Sequence, residues 1–116
     1  MAGNHPPETG RGSALPMTWR ARATWSLHLF KAATRQRHGE LAPHFAPLIP
    51  GDAVVLDIGA HAGEFTKIFA RLAPRGRVYA FEPGSYARSI LHPVLRLRGL
   101  GNVTVLPLAL GDAPGE

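Results

Sequence analysis

Residues 53–63 read AVVLDIGAHAG, and the organisation of the chain follows from them. Ala53 to Ile58 is a short apolar, β-branched run between Gly51 and Gly59, the pattern of a strand buried on both faces. Gly59 to Gly63 then opens directly into a segment with Phe65, Ile68, Phe69 and Leu72 at i, i+3, i+4 and i+7, which predicts a helix over 63–72 with one apolar stripe. Pro74, Arg75 and Gly76 stop that helix.

Downstream the alternation repeats. Arg77 to Phe81 (RVYAF) predicts a second strand, ended by Glu82-Pro83. Ser85 is the expected N-cap of a second helix through Ile90 and Leu91, and Pro93 is expected to kink or divide it before Val94, Leu95 and Leu97. After a break at Gly99–Asn102, Val103 to Pro107 (VTVLP) reads as a third strand. Strand, helix, strand, helix, strand in that order means crossover connections and a parallel sheet, half of a doubly wound α/β fold.

Upstream, Glu40 to Pro50 (ELAPHFAPLIP) reads as a short helix or turn carrying three prolines. From Thr18 to His38 the chain is rich in Ala, Leu and Arg, with Trp19, Ala23, Leu27 and Phe30 at helical spacing. The same stretch also alternates with period 2 through Trp19, Ala21, Ala23, Trp25, Leu27 and Leu29; propensity and length decide for the helix. Met1 to Pro16, with three prolines and three glycines, has the composition of a disordered leader. The predicted organisation is therefore a leader over 1–16, a helical cap over 17–50 and an α/β unit over 51–116.

At 116 residues and 45% apolar content, one hydrophobic core is the ceiling. Thirteen Lys and Arg against eight Asp and Glu give a net charge of +5. The surplus is uneven: residues 1–50 carry +4 and residues 51–116 carry +1. The basic bias thus sits in the predicted N-terminal helix, where Arg20, Arg22, Lys31, Arg35 and Arg37 interleave with Trp19 and Trp25. Such a face could meet RNA or a membrane surface, but no phosphate-binding loop or nucleic-acid motif accompanies it, and a solvated cap on the domain behind is the simpler reading. The chain has no cysteine, which removes disulfides, thiol catalysis and Cys-based zinc sites and fits a reducing compartment. No apolar run reaches the ~18 residues of a spanning helix, and no clean signal-peptide core is present. These features predict a cytoplasmic chain. His5, His28, His38, His44 and His92 show no metal-ligand spacing, so no metal site is expected.

In open parallel sheets, ligands bind beyond the carboxyl ends of the strands. After the first strand lies Asp57-Ile58-Gly59-Ala60-His61-Ala62-Gly63; Gly59 allows a tight turn, and Gly63 lets the helix start approach a strand or ligand closely. After the second comes Glu82, placed to accept hydrogen bonds from vicinal ribose hydroxyls. After the third come Ala109-Leu110-Gly111-Asp112, where a base would lie. A dinucleotide loop wants G-x-G-x-x-G, with the second glycine clearing space for the pyrophosphate. Here the spacing is G-x-x-x-G, His61 occupies that second-glycine position, and Asp57 would repel a diphosphate. An acidic strand end suits S-adenosylmethionine, which has no phosphate and carries an ammonium and a sulfonium.

The stretch VVLDIGAHAGEFTKIFARLAPRGRVYAFEPGSYARSIL (residues 54–91), continued by GLGNVTVLPLALGDAPGE (residues 99–116), resembles the start of the FkbM family of S-adenosylmethionine-dependent methyltransferases. The resemblance spans roughly residues 45–116, and its distinctive parts are D-x-G-A-x-x-G-x-F and Y-A-F-E-P. It implies a Rossmann-like class I methyltransferase fold, S-adenosylmethionine as donor, and O-methylation of a sugar or natural-product hydroxyl. By position it assigns Asp57, Gly59, Ala60, His61 and Gly63 to the loop on the methionine side of the donor, Glu82 to the ribose and Asp112 to the neighbourhood of the adenine. At position 61 the family more often shows Asn. Two departures matter: Pro93 falls where the family continues a helix, and the sequence stops after the third strand.

A complete domain of this type continues its sheet beyond the third strand, on the free side of the first. With strand order 3-2-1, the outer edge of Ala53–Ile58 lacks a partner, and a missing C-terminal half or a second copy would have to cover it. The expectation is a truncated chain holding the donor-binding half. A nicotinamide-dependent oxidoreductase half-domain and a non-enzymatic RNA-binding module using the basic helix are the competing readings.

Overall fold

The computed structural model describes residues 18–111. The leader expected over residues 1–16 and the adenine-side residue Asp112 lie outside the described residues. Three strands, β1 (Val54–Ile58), β2 (Arg77–Phe81) and β3 (Val103–Leu106), form a parallel sheet in the order β1-β2-β3. The register pairs Asp57 with Ala80 and Ile58 with Phe81, then Ala80 with Val105 and Phe81 with Leu106. The carboxyl ends of β1 and β2 therefore finish level, and the loops that follow them lie side by side.

Helix α1 (Trp19–Thr34) is followed by short helical turns, including α2 (Ala42–Phe45), before β1. Helix α3 (Glu64–Leu72) connects β1 to β2, and α4 (Ser85–Leu97) connects β2 to β3. The core lies between the sheet and the helices on one face: Ala60, Ala80, Leu91 and Leu95 form one cluster, joined by Leu100, Val103 and Val105. A second cluster of Ala32, Ile90 and Val94, with Trp25, Leu29, Ala33 and Ala62 packed on it, docks α1 against α4.

The sequence predicts burial on both faces of β1, and the structure corrects this. Asp57 faces the helices and is buried, whereas Val54, Leu56 and Ile58 on the other face are 67%, 57% and 61% exposed. All helices that pack on the sheet among the described residues do so from one side, so the apolar side chains of β1 meet cover on one face. Burying such side chains stabilises by ~1.5–3 kcal/mol each, a gain this face forgoes here.

Three helix details also differ. The N-cap of α4 is Gly84 in extended geometry and Ser85 is the first helical residue. Pro93 lies inside α4 without dividing it. Proline removes one intrahelical bond, and with Ile90, Leu91, Val94 and Leu95 all buried around it the helix continues. Helix α1 ends at Thr34, short of His38, and its docked stripe is the buried Ala32 with the half-buried Trp25, Leu29 and Ala33; Trp19, Leu27 and Phe30, the apparent stripe in the sequence, are exposed. The partner surface on α4 selects which of two apolar faces is used, and periodicity alone does not contain that choice. The hydrogen bond from Trp25 Nε1 to Ser89 Oγ, at 2.9 Å, fixes the registration of α1 on α4.

No helix among the described residues is long and apolar enough to cross a membrane.

Candidate functional site

The loop between β1 and α3 is built by left-handed backbone at three positions. Gly59 has φ of 74°, His61 of 52° and Gly63 of 95°. Glycine adopts such angles without penalty, and among larger residues Asn, Asp and His do so most readily. This is a conformational reason for a histidine at position 61, and it applies equally to asparagine. The turn is pinned to the adjacent strand end: the Gly59 and Ala60 N–H groups both donate to Phe81 O, at 2.8 and 3.0 Å.

A Cβ on Gly63 would lie 2.7 Å from Leu91 Cδ1. The close approach expected at Gly63 thus exists, but its partner is helix α4 and not a strand. At Gly59 a Cβ would meet nothing within 4 Å, so its requirement is the backbone angle alone.

Glu82 follows β2 and is turned into this loop. Oε1 accepts from the His61 N–H at 2.8 Å, and Oε2 accepts from the Gly84 N–H at 2.8 Å. The His61 ring lies beside it, with Nδ1 3.5 Å from Oε1, while the imidazole itself is largely in solvent. Arg88 Nη1 donates to Glu82 O and Pro83 O, at 2.9 and 2.6 Å, and clamps the turn into α4. Burial pushes the Glu82 carboxyl up, but the Gly84 and His61 N–H groups, aided by the charges of His61 and Arg88, outweigh it and hold the group below its ordinary value. Glu82 is therefore an ionised carboxylate fixed at the sheet rim, and each oxygen keeps acceptor capacity beyond its one backbone donor.

Asp57 is set deeper. Its Oδ2 accepts from the Thr66 hydroxyl at 2.5 Å, tying β1 to the first turn of α3. Burial raises the Asp57 carboxyl above its ordinary value, with the Thr66 hydrogen bond and the nearby His61 opposing that shift. Among the described residues no side chain or backbone N–H is hydrogen-bonded to Oδ1. The loop thus brings Asp57, Gly59, Ala60, His61, Gly63 and Glu82 together at the carboxyl ends of β1 and β2.

Thr66, Lys67 and Arg88 also shape the site and were not singled out in the sequence. Lys67 is completely buried, and its Nζ donates to Ala32 O at 2.7 Å and Arg35 O at 2.9 Å, with Glu64 Oε2 at 3.8 Å. It satisfies carbonyls at the C-terminal end of α1 and so locks that helix onto α3 beside the loop. Burial lowers the Lys67 pKa below that of an ordinary lysine, the Glu64 carboxylate partly opposing this. No group of three or more metal-ligating side chains occurs among the described residues.

No family model matches the chain. Over 69 residues it is 45% identical to the AMB antimetabolite synthetase AmbE of Pseudomonas aeruginosa, a match spanning 60% of this chain but 3% of that protein. Among solved structures, cofactor-bound Rv0187 from MTB superposes over 81% of this chain and 46% of its own, with a TM-score of 0.57 and 24% identity. A SAM-dependent methyltransferase from Aquifex aeolicus matches 74% of this chain and 50% of its own, with a TM-score of 0.54 and 22% identity. Precorrin-6y C5,15-methyltransferase from Geobacter metallireducens matches with a TM-score of 0.54 and 21% identity, over 64% of this chain and 43% of its own. The chain thus spans half or less of these structures and a small fraction of the synthetase. Its architecture is part of a Rossmann-like class I methyltransferase fold.

Proposed function

We propose that these residues form the donor-binding half of an S-adenosylmethionine-dependent methyltransferase of the FkbM type that acts on a hydroxyl of a small molecule or glycan. The observation that carries the reading is Glu82: an ionised carboxylate held by two backbone N–H groups at the rim of β2, next to a left-handed glycine loop. Its remaining lone pairs suit the two hydroxyls of a ribose. Asp57, with Oδ1 open, offers negative charge on the side where an amino acid's ammonium would lie. Asp112, on the segment after β3, is proposed to sit beside the adenine.

The electrostatics favour a cationic nucleoside over a dinucleotide. A pyrophosphate needs an open helix N-terminus and a loop whose backbone it can approach. Here α3 begins with Glu64 and a buried Asp57 stands behind it, and position 61 carries a side chain. When bound, the donor would supply a methyl group on a sulfonium, an electrophile for an acceptor oxygen. The chain's own part is to hold and orient it: Glu82 fixes the ribose, the 59–63 loop wraps the methionine side, and Asp57 balances charge. The acceptor must then be positioned against that methyl, which is where most of the rate in such a displacement arises.

Calorimetric titration with S-adenosylhomocysteine, with NADH in parallel, tests the reading. Binding of the former that weakens at least tenfold in Glu82→Gln is expected, since a charged hydrogen bond of ~1.5–3 kcal/mol is lost. NADH binding more tightly than S-adenosylhomocysteine would overturn it.

A further inference from the structure

Beside the donor loop lies a cleft of about 410 Å³ between α1 and the first half of α4, and its walls include Ala62 and the exposed His61 of that loop. A volume of this size matches small-molecule sites, which run from ~300 to 1,000 Å³. Lys31, Arg35 and Arg37 line one side. Among the described residues none of the three makes an ion pair, since the pairs present are His61–Glu82 and Lys67–Glu64.

Among the described residues the one carboxylate on the cleft wall, Glu64, is already engaged. Its Oε2 accepts from the Arg37 N–H at 2.9 Å and lies 3.4 Å from Gln36 Nε2 and 3.8 Å from Lys67 Nζ. The C-terminal carbonyls of α1, which would repel an anion, are turned onto the Lys67 ammonium. The Tyr86 hydroxyl of α4 and His28 Nδ1 of α1, one turn before Lys31, form a 2.5 Å hydrogen bond that bridges the two helices at the cleft. Three unpaired cations thus face a concave space whose far end is shared with the loop assigned to the donor.

We propose that this cleft is the acceptor site and that the acceptor is a small anion, a hydroxylated carboxylate or phosphate ester. Lys31, Arg35 and Arg37 hold its charged end, and its hydroxyl points toward the wall formed by His61 and Ala62. The assignment rests on the donor reading above. The cleft's size, about 410 Å³, favours a small molecule over a nucleic-acid strand, although the charge alone would suit either.

The test is titration of the protein saturated with S-adenosylhomocysteine, using L-malate, glycerol 3-phosphate and uncharged glycerol as probes. Binding of malate alone assigns a carboxylate acceptor, binding of glycerol 3-phosphate alone a phosphate ester, and glycerol is expected not to bind. The double variant Lys31→Gln/Arg35→Gln is expected to weaken the anion about five- to tenfold, the sum of two exposed ion pairs, and Lys31→Arg/Arg35→Lys to restore it. S-adenosylhomocysteine affinity is expected to be the same in all three proteins. Should S-adenosylhomocysteine bind while neither anion does, or while the double variant binds them undiminished, the acceptor assignment falls and the donor site stands. Anion binding without S-adenosylhomocysteine binding overturns both. An oligoribonucleotide whose affinity grows with length and is lost in the double variant would replace the small molecule with RNA.

Discussion

Replacing Thr66 with valine isolates the bond that fastens Asp57, at the start of the β1–α3 loop, to helix α3. Thr66 is fully buried and its hydroxyl reaches Asp57 Oδ2 at 2.5 Å. Valine keeps the shape, so no cavity forms and the loss reports the hydrogen bond. A bond to an ionised acceptor is worth ~1.5–3 kcal/mol, against ~1 kcal/mol for a neutral one. The variant should therefore lose about 2 kcal/mol near neutral pH, a shift of roughly 1–2 M in the urea midpoint.

The loss should itself depend on pH. Burial raises the folded Asp57 carboxyl above its unfolded value of 3.8, so the folded state binds that proton more tightly. Stability from this group alone is then greatest in acid and declines as pH rises from the unfolded value through the raised folded one. The Thr66 bond opposes the rise; without it the folded value climbs further and the decline steepens. The gap between wild type and Thr66→Val should be near 1 kcal/mol where Asp57 is protonated and widen above its folded value. Urea unfolding followed by circular dichroism between about pH 4 and 8 measures this. A gap that is constant across that range, or absent, would refute the idea that Asp57 is a buried anion restrained by Thr66.

Substitutions at three further positions probe the frame around the site. Gly63→Ala places a Cβ 2.7 Å from Leu91 Cδ1 at a φ of 95°, and should cost ~2 kcal/mol or more in urea unfolding, since left-handed strain and overpacking add. Lys67→Met leaves carbonyls of α1 and the Glu64 carboxylate without their ammonium; breaking such a buried set costs ~3 kcal/mol or more, and hydrogen exchange should speed up in α1 before it does in β2. His61→Asn should leave stability within ~0.5 kcal/mol, whereas His61→Val, β-branched at a φ of 52°, should lose at least ~1 kcal/mol by the same unfolding assay.

What could be read from sequence divides along a physical line. Strand and helix order, the parallel sheet, and the grouping of Asp57, Gly59, Ala60, His61, Gly63 and Glu82 all follow from local chemistry: glycines that permit positive φ, acids at strand ends, apolar runs bounded by breakers. Lys67 and Thr66 escaped because they sit in a helix whose visible stripe is Phe65, Ile68, Phe69 and Leu72, and a polar side chain there reads as solvated. Phe65 and Phe69 in fact pack sideways on Phe45 and on each other, and the face that carries Thr66 and Lys67 turns inward to Asp57 and α1. Burial of a polar group is settled by its partner, and the partners lie 9 residues away for Thr66 and 32 to 35 away for Lys67.

The same reasoning explains why the proposed acceptor cleft is invisible in the sequence while the proposed donor loop is plain. The donor loop is one contiguous segment answered by one strand end, so its spacing survives in the linear text. The cleft draws Lys31 and Arg35 from the end of α1, Arg37 from the turn after it, His61 from the loop and Tyr86 from α4, and it exists only once α1 has chosen the Trp25–Leu29–Ala32 face for docking. Had α1 docked through Trp19, Leu27 and Phe30, the face the spacing first suggests, a different set of its side chains would have been turned toward His61. The basic residues of this helix look like a generic charged surface until Lys67 locks its C-terminus beside the loop; that lock sets Lys31, Arg35 and Arg37 along a cleft next to the acidic rim formed by Asp57 and Glu82, and under the proposed reading the contrast between the two would orient an anionic acceptor against a cationic donor.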